Sequence, residues 1–420
     1  MREMKDSGIE WIGDIPVYWK IMPNKYLMRK EKKICPVYHG EDILSLTMKG
    51  VIVRDLDAGG KMPASFDGYQ RLEAGNLLMC LFDIDVTPRC VGLIKQAGVS
   101  SPAYSQFVLR KGADAAYYCY YYTMLDNDKT LLHLAKNLRH SLTEDQLGAI
   151  PVIVPPIEEQ QRIADFLDTK CAEIDALAAD IQTQIDTLEQ YKRSVITETV
   201  TKGLDPDAEM KDSGIEWVGE IPAHWLVHPV YYYYGERKNK NYLGKEDNLL
   251  SLSYGRVVRK DINTSDGLLP ESFNTYNIVE TGDIIIRPTD LQNDKRSLRT
   301  GLVKEHGIIT SAYIDLCPIK QVDSRYFYFL LHAYDVMKVF YNMGNGVRQG
   351  LNYSEFSRLM VFEPPYDEQV AMADYLEAKV EEVDVVISDK KAQLATLDEY
   401  KKSLIFEYVT GKKEVSEGAD

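Results

Sequence analysis

MKDSGIEWIGDIPVYW at residues 4–19 returns as MKDSGIEWVGEIPAHW at residues 210–225, with 12 of 16 positions identical. A chain written twice is the first thing its architecture must explain. Working outward, ILSLTMKGVIVRDL (43–56) is echoed by LLSLSYGRVVRKDI (249–262), PASFDGY (63–69) by PESFNTY (270–276), and EAGNLLMC (73–80) by ETGDIIIR (280–287). GLIKQAGVSSPAY (92–104) becomes GLVKEHGIITSAY (301–313), and PPIEEQQRIADFLDTK (155–170) becomes PPYDEQVAMADYLEAK (364–379). Between 155–194 and 364–403 there are 17 identities in 40. Each half therefore runs in one order, a mixed globular segment of about 150 residues and then a segment of about 48.

The shorter segments read as long helices. Pro155-Pro156 suits a helix start, Glu158 and Glu159 stand where the macrodipole favours anions, and Lys202-Gly203 completes a stop signature. Leu167, Ile174, Ile181, Leu188 and Val195 recur every seven residues, with Leu177, Ile185 and Tyr191 widening the stripe. The second copy keeps Leu376, Val383, Leu397 and Leu404 on the same register, broken at Lys390, beside Val386, Ile387 and Leu394. A sustained heptad stripe meets another helix, so the two are expected to pair with each other, each ~65 Å long at 1.5 Å per residue.

The globular segments hold short β-rich runs, NLLMCLF (76–82), VGLIK (91–95), DIIIR (283–287) and GLVK (301–304), bounded by Gly, Pro, Asn and Asp turns. Each then carries a helical aromatic stretch, AYYCYYYTML (116–125) or RYFYFLLHAY (325–334). The fold class is α+β: two similar domains separated by two long antiparallel coiled-coil helices, an internal pseudo-two-fold repeat. The expected boundaries are 1–154 for the first domain, 155–203 for the central helix and 204–209 for a linker. They continue with 210–363 for the second domain, 364–412 for the C-terminal helix and 413–420 for a tail.

Length and composition agree with several folded domains. The chain has 420 residues, 45% hydrophobic and 27% charged, which excludes wholesale disorder. No run of about 18 apolar residues and no apolar signal core occur, so a cytoplasmic protein without a membrane association is expected. Six cysteines without a CxxC pair read as reduced thiols. The formal charge of −15, from 49 Lys+Arg against 64 Asp+Glu, argues at first against a nucleic-acid partner. By segment it does not. Residues 1–155 carry +1 and 210–364 carry −1, whereas 156–203 and 365–412 carry −5 each and linker plus tail a further −5.

An enzyme needs a site, and the motifs for one are missing. TGKK (410–413) lacks the rest of a phosphate-binding loop, no strand–GxGxxG–helix fingerprint occurs, the seven histidines show no ligand spacing, and there is no G-x-S-x-G elbow. EPPY (363–366) superficially resembles the polar-Pro-Pro-aromatic motif of amino-methyltransferases. The repeat, however, places VPPI (154–157) at the same position, so the prolines serve as helix starts. No catalytic residue, cofactor site or metal site is therefore expected in this chain.

Basic loops remain. RPTDLQNDKRSLRTG (287–301) places Arg287, Gln292, Asn293, Lys295, Arg296 and Arg299 together, matched by Arg89 alone in 83–92. Arg256, Arg259 and Lys260, matched by Lys49 and Arg54, make a second set. Arg348 and Gln349, with Asn352, make a third, matched by Arg139, His140 and Thr143. Arg, Lys, Asn and Gln are the side chains that meet phosphates and base edges, so these are the candidate DNA-binding residues. The tyrosines at 117–122 and 231–234 could stack on bases, but the repeat exchanges Tyr121 for Leu330, which points to packing.

Two divergent globular segments, each followed by a PPxxEQ-started long helix ending in YKRS (191–194) or YKKS (400–403), resemble the specificity subunit of type I restriction–modification systems over nearly the whole chain. That resemblance implies one target-recognition domain for each half of a bipartite double-stranded DNA site, held apart by the two paired helices. It implies no catalysis by this subunit. The partners would be two modification (methyltransferase) subunits and restriction/translocase subunits, and S-adenosylmethionine, ATP and Mg would be bound there. The alternatives are a coiled-coil scaffold with two protein-binding domains and a free-standing adenine methyltransferase.

Overall fold

The computed structural model describes residues 2–57, 63–135, 140–262, 272–289, 291, 298–343 and 350–415. The chain divides into two compact units, 1–181 with 392–420, and 182–391. Each unit thus takes one globular segment and parts of both long helices, which run Ile157–Lys202 and Tyr366–Val409. Among the described residues no helix is long and apolar enough to cross a membrane.

In the first unit the β-rich runs form a four-stranded antiparallel sheet in the order Met28–Glu31, Ser105–Leu109, Leu77–Met79, Val91–Leu93. Leu77, Leu78 and Met79 are fully buried, as an apolar central strand requires. Against this sheet packs the helix Ala115–Asn127, capped by Asp114, whose side chain accepts from the Tyr117 amide at 2.9 Å. Tyr117, Tyr118, Tyr121 and Tyr122 are all fully buried, an i, i+1, i+4, i+5 set on one helix face. Their hydroxyls are satisfied internally, for example on the Ile153 carbonyl (3.1 Å) and Asn24 Oδ1 (2.6 Å). They are core and not stacking platforms.

The second unit repeats this plan strand for strand, in the order Tyr234–Glu236, Ile314–Pro318, Ile284–Ile286, Thr300–Leu302, with the aromatic helix Ser324–Val336. Tyr233 and Tyr234 are fully buried, whereas Tyr231 and Tyr232 are exposed.

Four glycines explain why the repeat keeps them. The hairpins Leu44–Thr47/Gly50–Val53 and Leu250–Ser253/Arg256–Arg259 lie directly on the sheet below. A Cβ on Gly92 or Gly301 would fall 2.8 or 2.5 Å from Leu46 or Leu252, and one on Gly98 or Gly307 would fall 2.6 or 2.5 Å from the Asp42 or Asn248 carbonyl oxygen. Only glycine permits that approach.

The PPxxEQ motif is a joint. In the first unit Glu159 accepts from the buried Trp19 indole (3.0 Å) and pairs with Arg2 (2.6 Å). Gln160 accepts from the amide of Asp114, the cap of the aromatic helix (2.8 Å), and donates to the Pro155 carbonyl (2.8 Å). In the second unit Glu368 accepts from Trp225 (3.0 Å), and Gln369 links the Asp323 amide (3.0 Å) to the Pro364 carbonyl (2.9 Å). The repeated tryptophan and the helix start are therefore two halves of one structure.

The long helices pair antiparallel within each unit. In the first, Phe166 stacks near Tyr408 (4.4 Å between centroids) and Asp175 pairs with Lys401 (2.7 Å). In the second, Lys192 pairs with Asp384 (2.5 Å), and Lys390, the break in the heptad, bonds Gln184. Leu167, Ile174, Ile181, Leu376, Val383 and Leu404 are buried on this seam, with Leu188, Val195 and Leu397 half-buried. Leu177, Tyr191 and Val386, expected to widen the stripe, are exposed; the buried flanking positions are Ile185 and Ile387.

Candidate nucleic-acid interface

The described basic residues sort into display and structure. Lys49 is exposed in the turn of the first hairpin, its amide donating to Thr47 Oγ1 (3.1 Å). Arg54, at the end of that hairpin, is half-buried, and its amide is fixed on the Ile43 carbonyl (2.7 Å). The second hairpin turns through Tyr254 (φ 48°) and Gly255 (φ 77°), a pair of positive φ values that suits a two-residue hairpin turn. From it, exposed Arg256 reaches Asp384 (2.6 Å) and exposed Arg259 grips Glu305 (2.7 Å), while Lys260 is exposed at the strand end. Arg287 is exposed.

Arg89 and Arg299 are structural. Arg89 donates to Asn127 (3.0 Å) beside buried Asp126, which also accepts from the Cys90 amide (2.9 Å). Arg299 occupies the place of Cys90 in the repeat, and its amide likewise donates to buried Asp335 (2.6 Å). Its guanidinium turns inward, donating to the Arg287 carbonyl (3.2 Å) and the Thr289 carbonyl and lying over Tyr341 (5.7 Å). At 5% exposure it has little left for a base edge. Asn352 and Thr143 are helix caps, accepting from the Glu355 (3.1 Å) and Gln146 (3.2 Å) amides. His140 pairs with Asp85 (3.0 Å). Arg139, Gln292, Asn293, Lys295, Arg296, Arg348 and Gln349 lie outside the described residues.

A groove of about 670 Å³ opens in the first unit between its hairpin, the strand Val91–Leu93, the aromatic helix and the two long helices. Lys49, Lys95 and Lys402 line it together with Asp168, Asp175 and Asp398. Lys401 is spent on Asp175 and Lys402 on Asp398 (2.7 Å each), so its charge is mixed and it makes no phosphate cradle. In the second unit the corresponding approach is bridged by the Tyr328 hydroxyl on the Gly255 carbonyl (3.2 Å) and by Asp384 between Arg256 and Lys192.

Among the described residues no group of three or more His, Cys, Asp or Glu side chains is placed to hold a metal ion. Burial pushes up the thiols of Cys80, Cys90, Cys119 and Cys171, so they stay neutral at physiological pH.

The reading from sequence missed one basic segment. Arg237–Lys245 (RKNKNYLGK) leads from the edge strand of the second sheet to its hairpin, and Tyr242 and Leu243 in it are 74% and 78% exposed. Adjacent apolar side chains in a lysine-rich stretch were the signal.

The family model for the type I restriction modification DNA specificity domain matches residues 91–187. A chain named as the specificity subunit of the MjaX type I restriction enzyme of Methanocaldococcus jannaschii is 24% identical over 278 residues, 65% of this chain and 61% of that one. The specificity subunit of the MjaVIII type I restriction enzyme of the same organism is 25% identical over 285 residues, 63% of this chain and 62% of that one. The chain thus spans about three-fifths of the length of these curated relatives. A chain from a structure described as the basis of complex assembly and conformational transition of the type I R-M system shares the fold. It has a TM-score of 0.70 at 11% identity and covers 95% of this chain and 99% of its own. With its duplicated α+β domains and paired long helices, this chain shares the fold of the type I R-M chain, and within residues 91–187 it is similar to the type I restriction modification DNA specificity domain.

Proposed function

We propose that this chain reads double-stranded DNA sequence for a type I restriction–modification complex, one unit for each half of a bipartite target. It carries out no reaction itself. Its acidic long helices recruit two modification subunits, and restriction/translocase subunits join that assembly; S-adenosylmethionine, ATP and Mg belong to those partners.

One observation carries the reading. The two units keep their internal joints bond for bond, Trp19–Glu159 as Trp225–Glu368 and Asp114–Gln160 as Asp323–Gln369, yet differ at matching positions of their hairpins. Gly50 is replaced by Arg256, Val53 by Arg259 and Lys49 by Gly255. A constant scaffold with changed display is what two related readers of different half-sites need, since phosphate contacts position and base contacts specify.

The test is retardation of duplex DNA by the chain assembled with its modification subunits, at moderate salt. One duplex should be held over scrambled competitors. Equal retardation of all duplexes sinks the reading, and S-adenosylmethionine binding by the isolated chain favours the free-standing methyltransferase instead.

A further inference from the structure

The turn that carries Tyr242 and Leu243 is built to hold them out. The Asn241 amide donates to the Tyr276 carbonyl (3.0 Å), and its buried side chain closes the turn, Nδ2 donating to the Glu246 carbonyl (2.8 Å) and Oδ1 accepting from the Glu246 amide (3.2 Å). The Gly244 amide returns to the Asn241 carbonyl (2.8 Å) at φ 60°. His306 braces the far side, 2.9 Å from Glu246 and 2.9 Å from Glu280. Two large apolar side chains left in water on a turn fixed by this many bonds imply something that covers them.

The charge around them says what kind of surface that is. Lys238 and Lys245 are exposed, and Lys245 has no ion pair among the described residues. Lys240 is half-buried on the Thr275 carbonyl (3.0 Å), and its ammonium is held below the usual range by burial and by Lys238. Lys238 lies 2.9 Å from Glu236, a partly exposed pair that holds the lysine weakly, so exposed cations flanking apolar side chains suit a polyanion with apolar edges. Arg259 and Lys260 end the neighbouring strand, tied to the same corner through Glu305 and His306.

The first unit has the same mount and a different display. There the Cys35 amide donates to the Tyr69 carbonyl (2.7 Å), but Tyr38, standing where the second unit has Gly244, folds back onto Phe66 (5.2 Å) and donates to the Glu41 carbonyl (2.9 Å). Val37 is left out, at 53%, beside exposed Pro36 in the place of Tyr242.

We propose that the turn Asn241–Lys245 is a DNA-reading element of the second unit, with Tyr242 and Leu243 set against base edges or base steps and Lys238 and Lys245 on flanking phosphates. This rests on the DNA-recognition reading above and names the part of the surface that carries it.

The test uses the chain assembled with its modification subunits and a pool of randomised duplexes of about 40 base pairs, from which bound molecules are selected and sequenced. Wild type should enrich a bipartite motif. Tyr242→Ala with Leu243→Ala should lose preference in one half of that motif, weakening binding to the wild-type motif roughly 10-fold or more, with the other half and the assembly unchanged. Lys238→Gln with Lys245→Gln should leave the motif intact and flatten the salt dependence by a slope of about two. An unchanged motif and affinity in the first variant overturn the inference while leaving the specificity function standing. Loss of subunit assembly, with normal DNA binding by what assembles, assigns the turn to a protein partner and also overturns it. A wild-type complex that enriches no motif overturns both readings.

Discussion

Asp315 gives the sharpest energetic prediction. It sits mid-strand in the second sheet, opposite Ile285, 1% exposed, with no hydrogen-bond partner for either carboxylate oxygen among the described residues. Asp283 beside it is already taken by Arg237 (2.7 and 3.0 Å) and the Glu280 amide (2.8 Å). Burial first, then Asp283 and Glu236, against Arg237, push the Asp315 carboxyl up from 3.8 to about 8. The folded chain therefore keeps a proton that the unfolded chain releases, so this group costs stability increasingly as pH rises from about 4 to about 8. At 1.36 kcal/mol per pH unit, that cost is about 1.5 kcal/mol at pH 5 and about 4 kcal/mol at pH 7. The first unit avoids it by placing neutral Gln106 and Asn76 at these positions, bonded to each other (3.3 Å). Asp315→Asn should thus stabilise the second unit, by far more at pH 7 than at pH 5. Cys317, the single cysteine in 182–391, reports its unfolding through the urea midpoint of alkylation in the intact chain. Parallel pH profiles for wild type and variant, or a less stable variant at pH 8, would refute the reasoning.

Three further outcomes follow from the geometry. Glu159→Ala strands the buried Trp19 indole and Arg2 together and should cost about 2–3 kcal/mol in denaturant unfolding; Glu368→Ala, at a 43% exposed carboxylate, should cost less. Gly307→Ala drives a Cβ to 2.5 Å from the Asn248 carbonyl oxygen and should lose about 1–3 kcal/mol, with hydrogen exchange fastest in the second hairpin, while Arg287→Ala leaves unfolding unchanged. His306 is held protonated by Glu280 and Glu246, so its imidazole should titrate above 6.5 by NMR. Its contribution to the turn Asn241–Lys245 is complete below 6.5 and lost as pH rises through that higher value; a midpoint below 6.5 contradicts the placement.

The duplication made two equivalent units legible, and the Pro-Pro starts, heptads and aromatic stretches located their helices to within a few residues. Long-range geometry stayed hidden. Nothing local tells that Glu159 of the helix start meets Trp19, about 140 residues earlier, or that Arg299 takes the inward place of Cys90 while Arg287, in the same run, faces solvent. Tyr231–Tyr234 read as one stretch but split, because the chain turns between an exposed short helix and a buried strand edge. Charge carried the same lesson: acidity that argued against DNA belongs to the long helices, the linker and the tail.

The central claim is that each unit reads half of one DNA target. Modified bases can be mapped across host DNA with the native chain, and again with residues 210–363 replaced by the matching domain of the MjaVIII relative. One half of the modified motif should change and the other should persist; an identical motif after the replacement would contradict the account.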